Sequence, residues 1–331
     1  MRILFFTDTH IRGNTPRNRL DDFPETVAAK LREVIHIVHE RNVDLAIHGG
    51  DLFDLPNPAL GTAREFLKIL RELETPLYLV PGNHDMFGYN AETLNRSIVG
   101  LAADLGLFTL MQAGQVYEIA KDGLKLHLSA CPFHYELDRR EPQLDYCVKK
   151  KDCDVAIHVV HGMLVQRPLF AGAAYTLIEK ILTTEADVTL AGHNHLGFPT
   201  LCIEGKWFSN PGALVRLENH TAEMSRMPSV LLIEIDGEIR LRTIQLKSAR
   251  PGEQVLDRSK LEAEQYRAEK LAGFLQLVRQ TSSFETVDLQ GIVQQIAELH
   301  GVSSEVARKA LELLAKAEES MKEGIDPEQT G

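Results

Sequence analysis

VDLAIHGGDLFD, residues 43–54, sets a short apolar run directly against two glycines and two aspartates. Val43 to His48 has the length and branching of a buried strand, and Gly49 and Gly50 let the chain turn sharply as it reaches Asp51. The same plan recurs on either side. MRILFFTDTH (1–10) is an apolar strand running into Asp8 and His10, and PLYLVPGNHD (76–85) is one running into Asn83, His84 and Asp85. Between them, Val27, Leu31, Val34, Ile35 and Val38 fall at helical spacing over 24–41, and a second helix is expected at about 62–73. Strand–helix–strand alternation implies parallel strands with right-handed crossovers. Such sheets bind ligands at the carboxyl ends of their strands, where these Asp, His and Asn residues sit.

Further strand-like runs lie at 114–119, 124–130, 154–160, 187–191, 206–209, 229–235 and 238–246, the last two forming a hairpin around Asp236-Gly237. Two packed sheets with helices outside accommodate this count better than one, so the expected class is α/β. Past Arg250-Pro251-Gly252 strand signals stop and helical stripes begin: Leu271, Phe274, Leu275, Val278; Leu289, Ile292, Val293, Ile296; Val306, Ala310, Leu313, Leu314, Ala317. The chain therefore reads as an α/β domain over 1–249 and a helical tail over 250–331.

With 331 residues, 44% hydrophobic and 25% charged, the composition is that of a soluble globular protein with one large domain and an appendage. No apolar run reaches the ~20 residues of a membrane span, and the N-terminal run lacks a small-residue cleavage site. Four scattered cysteines without a CxxC pair read as reduced thiols. Together these point to a cytoplasmic protein with no membrane partner. A net charge of −11 argues against binding nucleic acid by bulk positive charge, although two bound dications would supply about four positive charges locally.

Five segments gather polar chemistry at strand ends: Asp8-Thr9-His10, Gly50 to Asp54, Gly82-Asn83-His84-Asp85, His161-Gly162 and Gly192-His193-Asn194-His195. Singly each is weak, because a lone His or Asp at a strand end is more often a hydrogen-bonded rim residue. Together they call for metal ions, since so many buried carboxylates and imidazoles need compensating charge. Carboxylate, carboxamide and imidazole donors without thiolate suit manganese, iron or zinc, and one aspartate has two oxygens with which to bridge a pair of ions.

The ordered pattern DTH … GDLFD … GNHD … HG … GHNH resembles that of the calcineurin-like metallophosphoesterases over residues 1 to about 216. The resemblance implies a four-layer α/β/β/α sandwich of two mixed sheets. It implies that Asp8, His10, Asp51 and His195 hold one divalent metal and that Asp51, Asn83, His161 and His193 hold a second, with Asp51 bridging. It makes His84 the catalytic histidine, meeting the leaving group from outside the metal pair, and Asp54 the carboxylate that orients it. A hydroxide shared by the metals would attack phosphorus in line, with no covalent intermediate.

AIHGGDLFD (46–54) and SNPGALVRLENH (209–220) are similar to segments of the SbcD-type DNA-repair nuclease branch, with Ala213 where a serine is usual and Arg216 retained. That likeness implies a DNA phosphodiester as substrate, manganese as the first choice of metal, and an SMC-like (SbcC-type) ATPase docked through the C-terminal helices. Residue chemistry adds Arg12, Arg17 and Arg19, in the loop after His10, and Arg216 as contacts for DNA phosphates. Phe170 and Tyr175 are available for base stacking or for packing. His134 and His220 are the other histidines able to reach a substrate; His48 either supports the metal shell or packs in the rim, and His158 points away. One departure stands out: about 80 residues remain for both a capping domain and docking helices, so the cap is reduced or absent. The alternative is a stand-alone phosphodiesterase or phosphatase for small nucleotides, whose tail completes the fold or a homodimer. An inactive adaptor ranks last, because every presumed ligand is present.

Overall fold

Along the first half of the chain, apolar runs and amphipathic stretches alternate as β1 (Arg2–Phe6), α1 (Phe23–Glu40), β2 (Leu45–His48), α2 (Leu60–Arg71), β3 (Leu77–Leu79), α3 (Ile98–Asp104) and β4 (Thr109–Leu110). The computed structural model describes residues 1–259 and, beyond them, Tyr266, Lys270, Val306, Arg308, Lys309, Ala310 and Glu312. β1 to β4 lie side by side and parallel, with Phe6 opposite His48, Ala46 opposite Leu77 and Tyr78 opposite Thr109. Helix α1 starts where Asp22 accepts the Glu25 N–H at 3.0 Å, with Pro24 in its first turn. Its stripe of Val27, Leu31, Val34 and Val38 is buried.

The second half contributes β5 (Val116–Lys121), β6 (Leu124–Cys131), β7 (Val155–Val160), β8 (Leu164–Val165), β9 (Thr176–Leu177), β10 (Val188–Ala191), β11 (Phe198–Ile203), β12 (Lys206–Asn210), β13 (Ser229–Asp236) and β14 (Glu238–Gln245). The first sheet is ordered β14-β13-β1-β2-β3-β4 and the second β11-β12-β10-β7-β6-β5, each six-stranded and mixed. Gly237, at φ +67°, turns the β13–β14 hairpin with Asp236 opposite Glu238.

Strand alternation decides the layering. Ile3, Phe5 and Ile47 pack with Leu126, Leu128, Ile157 and Leu190 in the core between the sheets. Leu4, Phe6 and Ala46 point the other way, into a core shared with α1, α2 and α3. On the outer face of the second sheet, Tyr146, Ile178 and Ile181 come from the helical turns Gln143–Tyr146 and Ile178–Ile181. The result is the expected four-layer α/β/β/α sandwich. Strands β4, β8, β9 and β11 were not anticipated: three have two residues, too few for a period, and β11 has a burial pattern without alternation.

A first compact unit covers Met1–Arg258 and a second Ser259–Gly331. Residues 250–258, expected in the tail, instead pack with the core: Val255 and Leu256 are buried, and the Leu20 N–H donates to the Val255 carbonyl at 3.1 Å. The described residues of the second unit are helical. The expected stripes from Leu271 to Ile296 and from Leu313 to Ala317 lie outside the described residues. No helix among the described residues is long and apolar enough to cross a membrane.

Candidate metal centre

The five polar segments meet where the two sheets present their carboxyl ends. Ligand atoms of Asp8, His10, Asp51 and His195 lie within 4.8 Å of one another, and so do those of Asp51, His161 and His193. Asp51 belongs to both groups. Its Oδ2 is 3.7 Å from His10 Nε2 and 3.2 Å from His161 Nε2. On the first side, His195 Nε2 is 3.0 Å from His10 Nε2 and 3.6 Å from Asp8 Oδ1. On the second, Asn83 Oδ1 is 3.2 Å from His161 Nε2. The presumed ligands are thus brought together as the sequence pattern requires.

Backbone geometry carries part of this convergence. Asp8, His10, Asp51 and His193 all have φ between +44° and +67°. Left-handed backbone is disfavoured for side-chain-bearing residues, on the order of 1 kcal/mol each, and persists where the surroundings impose it. Gly82 is needed for a different reason: a methyl group there would overlap the Asp51 carboxylate.

The remaining atoms of the donors are held in place. His161 donates Nδ1–H to the Gly49 carbonyl at 2.7 Å, which turns Nε2 inward toward Asp51. Asp8 Oδ2 accepts from the Thr7 hydroxyl at 2.6 Å and from the His193 N–H at 3.1 Å. Asp51 Oδ1 accepts the His84 N–H at 2.7 Å, whereas its buried Oδ2 has no hydrogen-bond partner among the described residues. An orphaned carboxylate oxygen facing imidazole nitrogens on both sides is costly unless a cation joins them.

Electrostatics point the same way. Burial pushes the Asp51 carboxyl up, but His161, His10 and His84 outweigh it and hold it well below the usual carboxylate range. Burial raises Asp8, with the Asp51 charge adding to it. Burial disfavours a charged His161, yet Asp51 and Asp8 lift it to about 9, so the cluster demands positive charge at this point. Burial lowers His193 to about 3, and it takes His195 well below its ordinary value, so both are neutral donors. The donor set therefore fits divalent metal ions.

Two expectations change. The Asp54 carboxylate does not orient His84. Its Oδ1 faces His10 Nδ1 at 3.6 Å and its Oδ2 pairs with Arg12 at 3.3 Å. Burial would raise Asp54, but His10 and Arg12 hold it below the usual range. What orients His84 is the Asp54 main-chain carbonyl, which accepts Nδ1–H at 2.9 Å.

The second correction concerns the arginines. Arg216 is 1% exposed, and its guanidinium donates to the carbonyls of Arg226 and Arg250, the latter at 2.8 Å. Arg19 is also buried, paired with Asp21 at 2.7 Å and donating to the Arg216 carbonyl at 2.7 Å. Neither guanidinium is free for DNA. With Lys30 on Leu214 O at 2.9 Å and Arg226 on the Ala213 and Val215 carbonyls at 2.6 Å, they clamp residues 213–216. That segment is hydrogen-bonded to His195 O and Thr7 O, so these cations brace the ligand loops. Arg12 is half-buried and Arg17 exposed. Arg216→Met should cost about 1–3 kcal/mol, because the half-buried Arg226 carbonyl and the Arg250 carbonyl lose their charged donor. The readout is a lowered thermal midpoint with an unchanged KM of the folded protein for a phosphate ester; a raised KM at an unchanged midpoint would restore the phosphate-contact role.

Asp85 went unassigned in the sequence and is central here. Its fully buried carboxylate accepts the N–H groups of Asp51 (2.9 Å), Leu52 (3.0 Å), Phe53 (3.4 Å) and Gly82 (2.9 Å). Burial and the Asp51 charge push it up to about 7. Asp85→Ala would leave these amides unsatisfied at about 1–3 kcal/mol each, so loss of soluble, folded protein is expected on expression. The only signal for it was its place beside Asn83 and His84.

His48, His158, His220 and His134 are held in hydrogen bonds and ion pairs of the fold. His48 is buried, with Nε2 on the Thr9 hydroxyl at 2.6 Å and Nδ1 accepting the Gly50 N–H at 3.1 Å; burial lowers it to about 3. His158 bonds the Asp145 carbonyl at 2.8 Å, and His220 caps the helical turn Thr221–Ser225. His134 pairs with Asp145 at 3.0 Å, in a group with Cys131. Arg140 already neutralises that carboxylate, and burial and Asp145 raise the thiol, so this cluster suits an ion-pair network better than a metal.

Comparison with known proteins agrees with the geometry. Residues 1–197 match the calcineurin-like phosphoesterase family model. The chain is 27% identical over 202 residues to the DNA double-strand break repair protein Mre11 of Halobacterium salinarum, covering 59% of this chain and 47% of that protein. It is 26% identical over 259 residues to Mre11 of Methanosarcina mazei, covering 75% and 39%. Against Mre11 of Methanococcus maripaludis it is 36% identical over 89 residues, covering 26% and 23%. The chain thus spans less than half the length of these curated relatives. With a family model over more than half its residues and the metal donors in place, the chain belongs to the calcineurin-like phosphoesterase family of metal-dependent hydrolases.

Proposed function

We propose that this protein is a two-metal DNA nuclease that hydrolyses phosphodiester bonds in DNA repair or recombination. The observation that carries the two-metal reading is Asp51 Oδ2, shared between two donor clusters with His84 outside both. The likeness to relatives named as DNA double-strand break repair proteins supports DNA as the substrate. In this reading Asp8, His10 and His195 complete one metal site and Asn83, His161 and His193 the other, with manganese the preferred ion. Bound metals would polarise the phosphate and lower the pKa of the attacking water.

The chain's own groups do the rest. The Asp54 carboxylate, facing His10 Nδ1 at 3.6 Å, favours a proton on that nitrogen and so leaves Nε2 to bind metal. The Asp54 main-chain carbonyl accepts Nδ1–H of His84, so Nε2 of that ring is the atom that meets the departing oxygen, and a proton taken up there from solvent beforehand is the one it hands over. Arg12, half-buried beside Asp54, and the exposed Arg17 are the arginines left to hold a DNA backbone. The C-terminal unit would dock an SMC-like ATPase or a second copy of the chain.

The test is cleavage of end-labelled single- and double-stranded DNA, a cyclic nucleotide and a phosphomonoester, each with manganese, magnesium or chelator. Manganese-dependent DNA cleavage, abolished by chelator, is expected. Hydrolysis of the small esters with DNA left intact would replace the nuclease by a nucleotide phosphodiesterase or phosphatase.

A further inference from the structure

A line of rings leads out of the metal centre. The Phe133 ring lies against that of His193, centroids 5.8 Å apart and tilted by 46°. Tyr89 meets Phe133 in turn, edge to face, at 5.8 Å and 63°. His193 and Phe133 are half-buried and Tyr89 is 56% exposed, so the line runs from a ligand to solvent.

Two separate segments deliver these rings. Phe133 follows β6, and its N–H donates to the Pro81 carbonyl at 3.0 Å, which ties it to the loop carrying Asn83 and His84. Tyr89 comes five residues after His84, in a turn where Gly88 (φ +58°) and Tyr89 (φ +59°) are both left-handed. Glycine or asparagine would close such a turn at less cost than a bulky aromatic residue. The turn is nevertheless held firmly: the Thr93 hydroxyl accepts the Phe87 N–H at 2.8 Å and donates to the Asn90 carbonyl at 2.6 Å. An apolar ring is thus displayed on a braced loop beside the catalytic histidine.

We infer that Phe133 and Tyr89 form the stacking platform for the nucleobase next to the scissile phosphate, and so determine specificity for nucleic acid over simple phosphate esters. The inference rests on the nuclease reading above. A nucleoside attached to a phosphate held between the donor clusters would meet Phe133 as the first ring beyond His193. Stacking suits this chain because positive charge is scarce: net charge is −11, and Arg19 and Arg216 are consumed internally. Aromatic faces accept any base, so the platform confers binding without sequence preference.

The test uses a series of labelled single strands in which one abasic residue is moved along the chain, cleaved with manganese by the wild type, Tyr89→Ala, Phe133→Ala and Tyr89→Phe. Metal content is measured alongside. The wild type should prefer the intact strand to the one abasic beside the cleaved bond by about 5- to 100-fold in kcat/KM. That ratio should fall towards one in Tyr89→Ala and Phe133→Ala and survive in Tyr89→Phe. Should Phe133→Ala lose metal through its contact with His193, the exposed Tyr89 decides the matter alone. A ratio that Tyr89→Ala leaves unchanged, or a wild-type ratio near one, overturns the platform and leaves the nuclease reading standing. A wild type that cleaves no strand but hydrolyses bis(p-nitrophenyl) phosphate overturns both.

Discussion

Asp51→Asn is expected to lower metal-dependent hydrolysis by at least about 10³-fold while leaving the protein folded, since metal polarisation is worth several kcal/mol and each 1.4 kcal/mol is tenfold in rate. The substitution is nearly isosteric. The carboxamide oxygen can still accept the His84 N–H that Oδ1 accepts now at 2.7 Å. The amide nitrogen then replaces Oδ2, between the Nε2 atoms of His10 and His161. There it donates to both lone pairs instead of sharing a negative oxygen with two cations, so affinity at both sites falls. Elemental analysis after dialysis should find well under two ions per chain. Wild-type metal content and turnover would mean that Asp51 bridges nothing.

His84→Gln should separate chemistry from binding. Turnover falls by about 10²–10⁴-fold if the ring acts as a general acid, while metal content stays at the wild-type level. The geometry behind this is specific: Nδ1–H is held by the Asp54 carbonyl at 2.9 Å, and the His84 ring stands edge to face against His10 at 4.8 Å. Glutamine is too flexible to keep a donor at the departing oxygen. One alternative is built into the site, because His10, Asp54 and His84 also lie close enough together to hold an ion. A fall in metal content with the lost turnover would make His84 a ligand.

How much of this was legible in the sequence depended on range. Asp8, His10, Asp51, Asn83, His161, His193 and His195 stand out as candidates because each follows an apolar run and most sit near glycines, both local signals, and the fold brings their donor atoms together. Parity placed His158 away from the ligands, as observed. What could not be read depends on contacts between distant segments. Arg216 looks like an arginine for phosphate until Arg226 and Arg250 are seen offering carbonyls to it. Asp54 and His84 are indeed coupled, but through a carbonyl, and every residue has one. Asp85 reads as the tail of a motif, although its role lies in four amides of two loops. Tyr89 and Phe133 lie in different segments and meet only once β6 brings the second beside the first.

The most direct test of the central claim is the anomalous difference map of manganese-soaked crystals. Two peaks about 3.5–4 Å apart, both beside Asp51 Oδ2, with Asp8, His10 and His195 around one and Asn83, His161 and His193 around the other, are predicted. A single peak, or density at Cys131, His134 and Asp145 in place of this pair, would contradict it.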